Sequence, residues 1–201
     1  NAIVTGWVKT DPAAAFAYVQ NSGNPAAFAS NAPALAQAEA QVNPQAALAF
    51  VQSLPDGDAK SQALNNALTV MGKSDFADAW SFATNLPAGD AQVSAMTNLV
   101  GVVAAQAPAQ AVPLLDQFAK GSVQNGATRA LAKAWVAQDP QAASAWMNTL
   151  PMGTQRNVAV VELITVQEGS DPATALQWAE TITTATTRSN QIQKIITSWA
   201  K

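Results

Sequence analysis

The stretch Asp139–Gly153, reading DPQAASAWMNTLPMG, returns at Asn43–Gly57 as NPQAALAFVQSLPDG. Self-similarity at a fixed spacing is the mark of a repeat architecture, so the spacing decides the fold. Asp11, Asn43, Asp75, Ala107, Asp139 and Asp171 stand at equal steps of 32 residues, and proline follows each of them except Asp75, which precedes Phe76. Counting each marker as position 0, position 4 is always alanine (Ala15, Ala47, Ala79, Ala111, Ala143, Ala175). Position 7 is always large and apolar (Tyr18, Phe50, Phe82, Leu114, Trp146, Trp178).

Asp or Asn before proline is a helix N-cap followed by the one helical position where a missing N–H costs nothing. Apolar residues then fall at positions 4, 5, 7, 8 and 11, as in Ala47, Leu48, Phe50, Val51 and Leu54. That is a helical stripe and not a two-residue alternation. The Leu-Pro-x-Gly phrase at Leu54–Gly57, Leu86–Gly89 and Leu150–Gly153 ends this first helix, because proline cannot continue it and glycine accepts left-handed geometry. The residues that come next, Asp58, Asp90, Ser122, Thr154 and Thr186, are of capping type and are expected to open a second helix. Its apolar positions recur as in Ala127, Leu131, Ala132 and Trp135.

One repeat is therefore a helical hairpin, too short to bury both its stripes alone. Stacked neighbours would give a continuous core. The expected fold is all-α, an α-solenoid of six stacked antiparallel hairpins, with residues 1–201 as a single array starting at 11, 43, 75, 107, 139 and 171 and residues 1–10 as the tail of a preceding helix. Departures from the pattern are expected to show. Pro25 and Pro33 should break or displace the second helix of the first repeat, Pro113 should kink the first helix of the fourth, Gly126 should weaken its second helix, and the last repeat lacks the Pro-x-Gly turn. Trp7 and Trp199 lie six full periods apart. Neither end carries a polar capping repeat, which suggests an excerpt from a longer array or a subunit whose ends meet those of its neighbours.

Composition agrees with a helical reading. The chain holds 45 alanines, the best helix former, and only 11% charged residues. Ten basic against 13 acidic residues give a net charge of −3 and no basic run, which argues against nucleic acid. Leu99–Ala105, LVGVVAA, is the longest apolar stretch and falls far short of the roughly 20 residues a membrane span needs. Absence of cysteine removes disulfides, and low charge without histidine leans toward an exported bacterial protein, periplasmic or extracellular.

With these columns in place the chain resembles the tetratricopeptide-like class of helix-turn-helix repeats, and more closely the "W...DPxxAxxW...LPxG" hairpin arrays of exported bacterial proteins. The resemblance runs from Trp7 to Lys201 and rests on Trp135, Asp139, Pro140, Ala143, Trp146, Leu150, Pro151 and Gly153, and again on Asp171, Pro172, Ala175 and Trp178. It departs from true tetratricopeptide units in its 32-residue period and in lacking a Trp-x-x-Leu-Gly opening. What it implies is scaffolding and partner binding, with no catalytic residues to carry over.

Without histidine or cysteine the usual general base, the thiolate nucleophile and most transition-metal sites are missing. No catalytic residue, metal ligand or cofactor is expected, and Asp56, Asp58 and Asp90 read better as caps than as a carboxylate cluster. Six tryptophans could stack on sugars, yet all occupy apolar columns that favour core packing. The candidate binding surface is a pair of columns that the period lines up. Position 9 gives Gln20, Gln52, Thr84, Asp116, Asn148 and Glu180, and position 17 gives Lys60, Gln92, Gln124, Arg156 and Arg188. Either column could be a solvated helix face. A groove for a protein or peptide would be sought at Gln52, Asn148, Glu180, Lys60, Arg156 and Arg188, and end-to-end assembly into a filament or surface layer at Trp7 and Trp199.

Overall fold

A computed structural model of the chain describes residues 2–23 and 25–199; Asn1, Asn24, Ala200 and Lys201 lie outside the described residues. All regular structure among them is helical. The chain forms two compact units, residues 1–102 and 103–201.

In the N-terminal unit α1 (Ala2–Thr10) is followed by α2 (Pro12–Asn21), a 3-10 segment (Pro25–Asn31) and α3 (Ala32–Ala40). Then come α4 (Pro44–Ser53), α5 (Asp58–Ser74), α6 (Phe76–Thr84) and α7 (Asp90–Ala104), the last running just past the boundary. The sequence markers are N-caps as expected. The side chains of Asp11, Asn43 and Asp75 accept from the N–H groups of Ala14, Ala46 and Asp78. Pro25 diverts the chain into the 3-10 segment, but Pro33 sits in the first turn of α3 and starts that helix instead of breaking it. α3 packs against α4 and α5, and α5 against α6. Phe16 and Phe50 meet edge to face at 5.3 Å in a core shared with Val19, Leu35, Leu68 and Leu99. At Gly72 α5 comes so close to α7 that a Cβ would stand 2.7 Å from Leu99 Cδ2.

The C-terminal unit opens with α8 (Pro108–Ala111), which tightens into a 3-10 segment (Val112–Gln117) carrying Pro113. It continues with α9 (Ser122–Gln138), α10 (Pro140–Thr149), α11 (Thr154–Gln167), α12 (Pro172–Glu180) and α13 (Ala185–Trp199). Ala107 has no side-chain oxygen and makes no cap bond, and the helix it precedes is only four residues long. Gly126 does not interrupt α9, which is seventeen residues long: one glycine costs about 1 kcal/mol of propensity, and the helix packs along α10 and α11. Leu131, Met147, Leu163, Ile164 and Ile195 fill this unit's core. All six position-4 alanines, across both units, are fully buried.

The second helices are not capped in the expected way. Asp58, Ser122 and Thr154 are each the first residue inside their helix, and the N-caps are Gly57, Gly121 and Gly153, without a side-chain bond. Asp90 likewise lies inside α7, and Thr186 inside α13. The reason is the turn: these glycines hold φ of +146°, +104° and +153°, which carries the chain sharply from one helix into the next and leaves no room for a separate capping residue.

Candidate functional site

The position-17 column points inward, onto the end of the preceding helix. Gln92 Nε2 donates to the carbonyls of Thr84 (2.8 Å) and Leu86 (3.0 Å). Gln124 Nε2 reaches Leu115 O at 3.0 Å, Lys60 Nζ reaches Gln52 O at 3.5 Å, and Arg188 Nη1 reaches Ile182 O at 2.9 Å. The last carbonyls of a helix have no intrahelical partner. The column supplies one, and so braces each turn. Its recurrence therefore has a structural cause of its own.

Arg156 departs from its column. It is 5% exposed, and its guanidinium donates to Thr181 Oγ1 (2.9 Å) and Asn148 Oδ1 (3.4 Å) while lying 5.5 Å from the centre of the Trp178 ring. Both hydrogen-bond partners are neutral. Next to it Asn157, also buried, donates to Thr183 Oγ1 and Thr184 Oγ1 and accepts from Thr183 N–H. That clamp replaces the Pro-x-Gly turn missing from the last repeat.

Two cavities open beside these columns, one in each compact unit. The N-terminal one, about 490 Å3, is lined by Gln52, Lys60 and Leu64 of one repeat and by Leu86, Pro87 and Ala91 of the next. Lys60 there pairs with exposed Asp56 at 3.0 Å. The C-terminal one, about 270 Å3, is lined by Asn148 and Arg156 of one repeat and by Gln177, Trp178 and Thr181 of the next. In both, positions 9 and 17 face the first helix or turn of the following repeat. The structure thus brings Gln52 to Lys60 and Asn148 to Arg156, whereas Glu180 is exposed at the end of α12 and Arg188 braces its own turn.

Trp146 is 7% exposed and stacks on Trp135 at 5.4 Å. Trp7 meets Tyr18 edge to face, eleven positions on, the same spacing as Trp135 to Trp146. Trp7 and Trp199 are 38% and 62% exposed. Among the described residues no three carboxylates gather closely enough to hold a metal ion, and no helix is long and apolar enough to cross a membrane.

Sequence reasoning passed over position 23. Asn66 Nδ2 donates to Pro33 O and Asn98 Nδ2 to Asn65 O, each 33 residues back, and Glu162 pairs with Arg129 at the same separation. These contacts tie α5 to α3, α7 to α5 and α11 to α9. The recurrence of Asn at 66 and 98 was the available signal. Comparison of the chain with protein-family models, with curated proteins and with solved structures finds no match.

Proposed function

We propose that the chain is a non-enzymatic helical-repeat scaffold that binds a protein or peptide, an α-solenoid of six antiparallel hairpins in the tetratricopeptide-like manner. The observation that carries this reading is the recurrence of a cavity at the same place in the repeat, between positions 9 and 17 of one hairpin and the start of the next. Equivalent sites in successive repeats are how repeat proteins hold extended partners. The equal period across all six repeats supports the solenoid, and low charge without cysteine or histidine suits an exported protein. Selection from a displayed peptide library tests the binding reading. Peptides that hold the native chain and lose affinity on Gln52→Ala or Asn148→Ala are the expected result, and a library that yields none would sink it.

A second reading has its own observation. Trp7 and Trp199 occupy the same column and are both exposed, at 38% and 62%. End-to-end association would cover them. Light scattering that shows mass climbing with concentration, suppressed by Trp199→Ser, supports this reading; a constant mass removes it.

A further inference from the structure

The geometry points to a carboxylate pocket at Arg156, one that takes a glutamate or aspartate side chain or a C-terminal carboxylate of a bound peptide. This deepens the peptide-scaffold reading and rests on it. The first ground is a buried charge with no counter-charge. Arg156 is 5% exposed, and the ion pairs among the described residues, Lys60 with Asp56, Arg129 with Glu162 and Lys194 with Glu168, leave it out. A buried cation without an anion is costly, and the face of Trp178 offsets only part of that cost.

The second ground is that the fold does not need the charge. Bracing the turn takes an N–H donor, and Gln92 and Gln124 do it in other repeats with a neutral amide. At position 156 a guanidinium stands instead, bonded to two neutral side-chain oxygens, and it carries more N–H donors than those two hydrogen bonds engage. The third ground is the cavity itself. About 270 Å3 of space adjoins the guanidinium, and the other lining groups, Asn148, Gln177, Thr181 and the Trp178 ring, are neutral, with side-chain amides of Asn148 and Gln177 that can donate. A planar carboxylate matches the fork of an arginine. The space suits a single side chain or chain end, and a net charge of −3 disfavours a polyanion such as nucleic acid.

The test is an NMR titration of the full 15N-labelled chain at constant ionic strength, read at the Arg156 Nε–H and the Trp178 indole N–H. The probes are N-acetyl-glutamate amide for a side-chain carboxylate, N-acetyl-glycine for a terminal one, and inorganic phosphate. Saturable shifts at those two signals with one or both carboxylates are expected, and the stronger of the two identifies the source. Arg156→Gln keeps a neutral donor toward Thr181 and Asn148 and should weaken binding on the order of 10- to 100-fold. Asn148→Asp covers the case in which that variant fails to fold: it places a carboxylate beside Arg156, and should raise the melting temperature while blocking the probes. No saturable shift, tighter binding of phosphate than of either carboxylate, or binding unchanged in Arg156→Gln and Asn148→Asp would overturn the pocket. Library peptides that bind native chain and Arg156→Gln equally would overturn the pocket and leave the scaffold standing; carboxylate probes that bind while no peptide does would leave the pocket and remove the scaffold.

Discussion

At Asp139 one carboxylate oxygen accepts from two backbone N–H groups, those of Gln141 at 3.0 Å and Ala142 at 2.9 Å. Replacing it by alanine removes both, and Asp139→Ala should lower stability by about 1 kcal/mol, read from urea denaturation. Asp171 makes the same kind of cap, and hydrogen bonds from Thr174, side chain first and then backbone, hold its carboxyl below the usual value. The unfolded chain therefore binds that proton more tightly. The contribution is present above the ordinary carboxylate pKa and is lost as pH falls through the folded one. Melting curves taken from neutral pH into acid should lose part of their decline in Asp171→Asn. Glu39 has the opposite sign: it stands at position 28, the column of Trp135, and burial raises its carboxyl. Its contribution favours folding in acid and disappears as pH rises through the raised value, so Glu39→Gln should raise the melting temperature at neutral pH. An unchanged melt would mean the side chain reaches water despite its position.

Between helices the period writes two kinds of contact. Position-4 alanines are fully buried, so Ala143→Leu should overpack the contact and cost about 1 to 3 kcal/mol in chemical denaturation. The turns depend on glycine where φ is strongly positive, and Gly153→Ala, at +153°, should cost about 1 to 3 kcal/mol in the same assay. The caps, the stripe and the turn are each set within about a dozen residues, which is why Asp11, Asn43, Asp75, Asp139 and Asp171 are legible as caps from the sequence. Position 23 is different. Asn98 has its partners on α5, at Asn65 O and Thr69 Oγ1, and no local rule distinguishes it from a solvated polar residue.

Over the whole chain the period determined the all-helical class and where the first helices begin, because capping, helical stripes and proline act through local geometry that a sequence displays directly. Pro25 and Pro113 mark the two 3-10 segments for that reason. Tertiary structure alone decided what the recurring polar columns do. Gln92 and Gln124 recur because carbonyls at the end of a neighbouring helix lack partners, and Asn66 and Asn98 because consecutive second helices lie side by side. Arg156 could be read from sequence only as one member of a ladder. Its burial, its neutral partners and the cavity beside it arise where α10, α11 and α12 meet, and a charge becomes exceptional only once the groups around it are known.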